Sequence, residues 1–266
     1  MNERISERTR EISILTNRER REDVAFLCEH WKLEEKPTPY TVLPANIFSD
    51  EIPSFEFFRL LCYHALHTQP APTVVIEADW RRLEANGTIG EIWNGSFDIN
   101  RYALDPPVWR PDSKGKVIDF VRIKATEDTW KRLLPEPPDP DVAVDVIYAA
   151  SGGALKSRAF NVIADMRRCG WWHSEALDRF AQDPGARSRK RAIRMGLIDL
   201  PERADTFADM KALSRAINAV LRLGDAPELA YSAPITTSPF RCEICDAARM
   251  AACPMPHCKW RRMHAE

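Results

Sequence analysis

The last 27 residues constrain the fold more than any other stretch, because four of the seven cysteines lie there. They are Cys242, Cys245, Cys253 and Cys258, and His257 stands beside the last of them. A segment of this length is too short to bury a core of its own, so its loops need a metal or covalent cross-links to close. Thiolates at this density are typical of a tetrahedral metal site, and we predict a metal-binding module over residues 240–266.

The cysteine spacing leaves the fourth ligand and the metal open. Two residues separate Cys242 from Cys245, which lets both sulfurs turn to one ion. Four residues separate Cys253 from Cys258, so His257 is an alternative to Cys258 as the fourth ligand. Zinc is the expected ion, and an iron–sulfur cluster is the alternative because all four ligands are thiols and Cys253 precedes a proline. Four protein ligands leave no position for a reactive water, so the site is expected to be structural.

Charge is unevenly spread along a chain that is almost neutral in total. The formal net charge is −1, yet residues 156–194 hold ten Lys or Arg against four Asp or Glu. A local excess of this kind is typical of a site for a polyanion. The sequence shows no apolar leader, and no apolar run approaches the roughly 18 residues of a membrane span. We therefore predict a cytoplasmic protein with reduced thiols and no membrane partner.

Hydrophobic periodicity predicts a mainly helical α+β protein. The N-terminal body, residues 1–134, is expected to mix helices and strands, with a buried helix over 55–67, short strands or turns over 88–109 and a strand over 116–124. Four prolines in residues 135–140 predict a stiff connector between domains. A helical region over 141–224, opening with a strand at 142–148, a linker over 225–239 and the cysteine module over 240–266 complete the predicted order.

Three short helices within the helical region form a pattern typical of a helix-turn-helix. They are predicted over 155–168, from Ser174 onward and over 186–197, and the third is the most basic. We expect its arginines to face away from Ala192, Ile193 and Leu197, where they would contact phosphates or guanine edges. A solvated basic face on an ordinary helical bundle is the competing interpretation. The predicted nucleic-acid contacts are Arg187, Arg189, Lys190, Arg191 and Arg194, with Lys259, Arg261 and Arg262 in the tail.

These features predict a nucleic-acid-binding protein with a zinc finger-like structural module and no catalysis of its own, with DNA favoured over RNA. One alternative is a non-catalytic subunit of a larger nucleoprotein complex, in which the acidic N-terminal half binds protein partners. A second is a metal-dependent nuclease, suggested by Asp119 and Lys124 on a predicted strand. The sequence contains no nucleophile elbow, His-Glu-x-x-His motif or dinucleotide fingerprint, so no catalytic residue is assigned.

Overall fold

The computed structural model divides the chain into two compact units. The terminal unit combines Met1–Pro39 with Leu177–Glu266, and the middle unit is Tyr40–Ala176. The described residues are 15–33, 54–69, 71–104, 110–134, 139–168, 170–174, 186–200, 206–223, 248 and 253–259. Within these ranges the chain is mainly helical and has no β-strand, so the predicted helical character is confirmed and the predicted α+β mixture is not. None of the described helices is long and apolar enough to cross a membrane.

The described helices are numbered here in chain order. In the terminal unit they are α1 (Asn17–Leu33), α10 (Ala186–Met195) and α11 (Phe207–Leu223). In the middle unit they are α2 (Ser54–Leu66), α3 (Thr73–Ala85), α4 (Thr88–Asn94), α5 (Ile99–Leu104), α6 (Pro111–Ala125), α7 (Glu127–Trp130) with a 3-10 turn over Lys131–Leu133, α8 (Pro140–Ala150) and α9 (Arg158–Arg168).

Helix α2 is the centre of the middle unit. It packs against α3, α6 and α9, and its side chains from position 57 to 66 are buried except for the half-buried Arg59. The sequence predicted this buried helix, and the prediction is confirmed. Its aromatic residues meet others from three parts of the unit, which form an aromatic cluster: Phe57, Phe58, Trp93, Trp130 and Trp172.

The predicted strand over residues 116–124 is wrong, because this stretch lies in α6. Its buried apolar side chains are Val117, Phe120 and Ile123, which recur every third residue as on one face of a helix. Val117 and Phe120 would lie on opposite faces of a strand, so their shared burial does not fit the alternation that a strand would need. Pro111 begins the helix at a position where its missing N–H is not needed.

The predicted strand over residues 142–148 is also wrong, because α8 occupies it. The side chain of Asp139 caps this helix by accepting a 2.7 Å hydrogen bond from the backbone N–H of Asp141, and Pro140 follows at the first helical position. Residues 88–104 likewise form the short helices α4 and α5 where strands or turns were expected. The glycines at 87 and 95 flank α4 in left-handed backbone conformations instead of interrupting a strand.

The division into units differs from the predicted domain order. The predicted connector, residues 135–140, lies inside the middle unit. The first and third predicted helices of the helix-turn-helix are present as α9 and α10, but α9 belongs to the middle unit and α10 to the terminal unit. The second, expected from residue 174 onward, lies almost wholly outside the described residues.

The core of the terminal unit draws on stretches that are far apart in the sequence. Helix α1 packs against α11, and the backbone N–H of Leu15 donates a 2.9 Å hydrogen bond to the carbonyl of Gly196, just after α10. The buried core residues come from α1 and the residues just before it, from α10 and its C-terminal turn, from α11 and from the tail: Leu15, Val24, Leu27, Ala192, Ile193, Met195, Leu197, Ile198, Leu213, Ile217, Val220, Met255 and Cys258. The described tail segment, 253–259, is therefore part of this core.

Candidate nucleic-acid interface and cysteine tail

Helix α10 buries the arginines that the sequence predicted to face solvent. Arg189 is 1% exposed, Arg191 6% and Arg194 3%, while Lys190 is half-buried. A guanidinium enclosed to this degree does not reach a phosphate, so the expected solvent exposure of these three arginines is wrong. The side chain of Arg187 lies outside the described residues.

The surroundings of α10 explain why its charges turn inward. Every side chain of α10 that is described, except that of Lys190, is buried, so the long arginine stems are covered together with the apolar residues. A terminal nitrogen of Arg189 lies 3.5 Å from the backbone carbonyl of Asp209 in α11. These arginines therefore act first as buried polar members of the terminal unit.

The solvent face of α11 carries a different set of cations. Arg215 and Arg222 are exposed and Lys211 is half-buried. Their spacings of four and seven residues place all three on one side of the helix. The exposed positions beside them are alanines, at 208, 212 and 219, and the opposite side packs into the core. We call the six residues the cationic face: Lys211, Arg215, Arg222, Ala208, Ala212 and Ala219.

The one acidic residue of α11 lies away from this face, at the helix start. Asp209 accepts a 3.0 Å hydrogen bond from the backbone N–H of Thr206, whose hydroxyl oxygen in turn accepts from the backbone N–H of Asp209 at 3.1 Å. This reciprocal pairing is a capping box, and it fixes the first turn of the helix. Sequence reasoning treated α11 as core packing and missed the cationic face, although the spacing of the three cations opposite the apolar stripe is visible in the sequence.

The structure brings two of the predicted metal ligands close to the terminal core. Cys258 is 8% exposed, and Cys253 packs against the same core from a half-buried position. Met255 between them is fully buried. The other two predicted ligands, Cys242 and Cys245, lie outside the described residues. Among the residues that are described, no three His, Cys, Asp or Glu side chains converge as a metal site requires, and the four-cysteine site stays a prediction.

Residues of α1 hold the tail segment in place. The backbone N–H of His257 donates a 2.8 Å hydrogen bond to a carboxylate oxygen of Asp23, which is fully buried. The ring Nε2 of His257 pairs with the carboxylate of Glu22, whose pKa is held below its usual value by hydrogen bonds from Arg18 and then from His257. Glu22 engages Nε2, so Nδ1 is the ring nitrogen through which His257 would bind a metal, and the choice between Cys258 and His257 as the fourth ligand stays open.

The basic end of the tail is only partly described. The ammonium of Lys259 is half-buried and lies 4.0 Å from a carboxylate oxygen of Glu19 in α1. Arg261 and Arg262 lie outside the described residues, so their predicted phosphate contacts stay predictions.

The residues that suggested a nuclease do not form a catalytic arrangement. Asp119 lies on α6 and not on a strand, and it is paired with Lys116 at 3.1 Å and with Arg122 at 3.3 Å. Lys124 pairs instead with Glu127, at the start of the next helix. These are contacts between neighbouring turns of a helical surface, which is a structural role.

A buried polar cluster in the middle unit contains further titratable groups. The hydroxyl of Tyr63 donates a 2.5 Å hydrogen bond to a carboxylate oxygen of Glu77, and Nε2 of His67 lies 3.2 Å from the same oxygen. Nε2 of His64 lies 3.0 Å from a carboxylate oxygen of Asp165. All five side chains are buried, so the two histidines are core residues. Burial, and then the charge of the nearby Arg158, lowers the pKa of His67 to about 3.

We expect this cluster to make the middle unit less stable at acid pH. Between about pH 6.5 and pH 3, the His67 imidazole binds a proton in the unfolded chain but not in the folded one, so stability falls as the pH is lowered. The pKa of Glu77 is raised by burial, which contributes with the opposite sign. His67→Gln removes the first effect. From pH 7 to pH 4 it should lose roughly 3 kcal/mol less stability than the wild type.

Urea unfolding followed by tryptophan fluorescence measures this difference, because six of the eight tryptophans lie in the middle unit. Parallel pH profiles for the wild type and His67→Gln would contradict the assignment.

Comparison with known proteins gives no relative from which these roles could be transferred: no family model, curated protein or solved structure matches the chain.

Proposed function

We propose that this chain is a non-catalytic nucleic-acid-binding protein that uses the terminal unit to bind duplex DNA and its cysteine tail to bind a structural zinc ion. The observation that carries the proposal is the cationic face of α11. It combines three cations and three alanines at positions that are exposed or half-buried. A surface of this composition attracts phosphates, and its small side chains let the helix backbone come close to them.

The dimensions of α11 favour duplex DNA over duplex RNA. Lys211 and Arg222 are eleven residues apart, so they span roughly 16 Å along the helix axis. Phosphates rise by about 3.4 Å per nucleotide along one strand, so the three cations face several phosphates of a single backbone. The major groove of B-form DNA is about 12 Å wide and admits a helix, whereas the major groove of A-form RNA is too narrow.

The net charges of the two units also favour DNA binding by the terminal unit. The terminal unit holds 23 Lys or Arg against 20 Asp or Glu, a net charge of +3, and the middle unit holds 15 against 19, a net charge of −4. A polyanion is therefore attracted to the unit that contains α11. Lys190 and Lys259 supply further charge from half-buried positions, and Arg187, Arg261 and Arg262 remain proposed contacts.

The zinc proposal rests on the donor set. Two thiols in one seven-residue segment lie at the terminal core, and two more, separated by two residues, come earlier in the tail. Cys242, Cys245, Cys253 and Cys258 would hold the ion, whose chemistry there is to cross-link the tail. Thiols serve as metal ligands in a reducing compartment, so we place the protein in the cytoplasm. Elemental analysis identifies the ion, and visible absorption at roughly 400 nm would assign an iron–sulfur cluster instead.

Fluorescence anisotropy with a labelled DNA duplex tests the interface. The triple variant Lys211→Ala, Arg215→Ala, Arg222→Ala should bind about a hundredfold more weakly at 0.1 M salt, because each lost phosphate contact removes roughly a factor of ten or somewhat less. The slope of log affinity against log salt should fall by about three, roughly one for each contact.

A control with the same change in charge separates local contact from general attraction. Arg82→Ala, Arg122→Ala, Arg132→Ala removes three exposed cations from the middle unit. This variant should keep the wild-type salt slope and bind within about threefold of the wild type. Equal losses in both variants, or no salt-dependent binding by the purified wild type, would overturn the proposed interface. Binding that appears only with a co-purified partner would indicate the complex subunit instead.

A further inference from the structure

The N-terminal helix and the cysteine tail meet through a set of polar contacts that neither segment could make alone. Asp23 accepts the backbone N–H of His257, Glu22 pairs with the His257 ring, and Lys259 approaches Glu19. These three acids lie on one side of α1, at spacings of three and four residues for Glu19 with Glu22 and Asp23. We call this side the acidic face of α1.

Burial distinguishes one of these contacts from the other two. Asp23 is fully buried, whereas Glu22 and Lys259 are partly or largely exposed. A buried carboxylate is stable only when hydrogen bonds replace the water it has lost, and the N–H of His257 supplies one at 2.8 Å. The Asp23 contact therefore contributes most to holding the tail, because exposed ion pairs contribute little.

The position of this hydrogen bond links it to the proposed metal site. His257 immediately precedes Cys258, and Met255 between the two described cysteines is buried in the same core as Val24 and Leu27 of α1. An ion that holds Cys253 and Cys258 fixes the backbone between them, and that backbone includes the N–H that Asp23 accepts. The other end of α1 is held independently, by the hydrogen bond from Leu15 to Gly196.

We propose that zinc binding by the tail and packing of α1 are thermodynamically coupled, with Asp23 as the positioning residue that couples them. This inference rests on the proposed zinc site and goes beyond it, since it assigns the acidic face of α1 a role in metal affinity. Coupling between two equilibria is reciprocal, so zinc stabilises the packed α1 by the same factor by which the packed α1 strengthens zinc binding. Residues that orient metal ligands from outside the ligand set typically change affinity 10- to 100-fold.

The first measurement is zinc affinity, by competition with a chromophoric chelator on the full chain under reducing conditions. Asp23→Ala should weaken zinc binding roughly 10- to 100-fold. Asp23→Asn keeps an oxygen that accepts the His257 N–H, so most of the affinity should return. Glu29→Ala removes an exposed acid from the same helix and should leave the affinity unchanged. If Asp23 had a structural role without coupling to the metal, Asp23→Ala would bind zinc as tightly as the wild type.

The second measurement needs only the wild type, so it stands even if Asp23→Ala fails to fold. Hydrogen exchange is followed by mass spectrometry with and without zinc. Zinc should slow exchange in α1 at least tenfold and leave α2, in the middle unit, unchanged. Protection confined to residues 240–266, with equal zinc affinity in Asp23→Ala and the wild type, would overturn the coupling and leave the zinc site standing. A wild type that binds no zinc would overturn both.

Discussion

Trp130→Ala is expected to lower the free energy of unfolding of the middle unit by about 4 kcal/mol. Trp130 is fully buried, and its ring centroid lies 5.7 Å from that of Phe57 and 6.5 Å from those of Phe58 and Trp93. Its indole N–H donates a 2.8 Å hydrogen bond to the backbone carbonyl of Ile123. The substitution opens a cavity in the aromatic cluster and removes this hydrogen bond at the same time.

Denaturant unfolding followed by far-ultraviolet circular dichroism measures the loss without relying on tryptophan emission. Val74→Ala, at an exposed position of α3, is the control and should stay within about 0.5 kcal/mol of the wild type. A loss of less than about 1 kcal/mol for Trp130→Ala would mean that the aromatic cluster is not the stabilising centre of this unit.

Arg189→Ala is expected to destabilise the terminal unit by about 3 to 5 kcal/mol. Arg189 is the most deeply buried of the arginines of α10 whose side chains are described, and a nitrogen of its guanidinium lies 3.5 Å from the backbone carbonyl of Asp209 in α11. Removing the side chain leaves a cavity. Buried polar groups around it also lose a charged hydrogen-bond donor. The neighbouring Lys190 is half-buried, so Lys190→Ala should change stability by no more than about 0.5 kcal/mol.

The Arg189→Ala variant also tests whether α10 has a structural role or contacts DNA. At temperatures where Arg189→Ala is still folded, we expect it to bind duplex DNA like the wild type, because its side chain does not reach the surface. A stable Arg189→Ala protein with strongly weakened, salt-dependent binding would instead restore the interface that the sequence alone suggested.

Helices were predicted best from the sequence where the hydrophobic pattern was unambiguous. Helix α2 has an almost continuous apolar run, and the prediction that it is buried is confirmed. The stretches that form α6 and α8 were wrongly predicted to be strands, because they contain several β-branched residues and such residues are common in strands. In both helices the buried residues follow the helical period, and at α8 the sequence Asp139-Pro140 was an overlooked start signal.

The candidate site was harder to predict, because exposure depends on partners that are distant in the sequence. The charge excess of α10 is a local property, but which of its sides is covered depends on packing in a unit that also contains α1, α11 and the tail. The contact between Asp23 and His257 joins residues 234 positions apart. No periodicity within α1 points to that partner. The cationic face of α11 was predictable from the sequence, because the helical spacing of its cations places them opposite the apolar residues.

The two units differ in how early during synthesis their internal contacts can form. Every element of the middle unit belongs to one continuous stretch, so its contacts become available soon after that stretch leaves the ribosome. Helix α1 is translated before all of them, yet its core partners come more than 150 residues later. The apolar side of the nascent α1 therefore stays uncovered until its core partners, residues 192–258, have been translated.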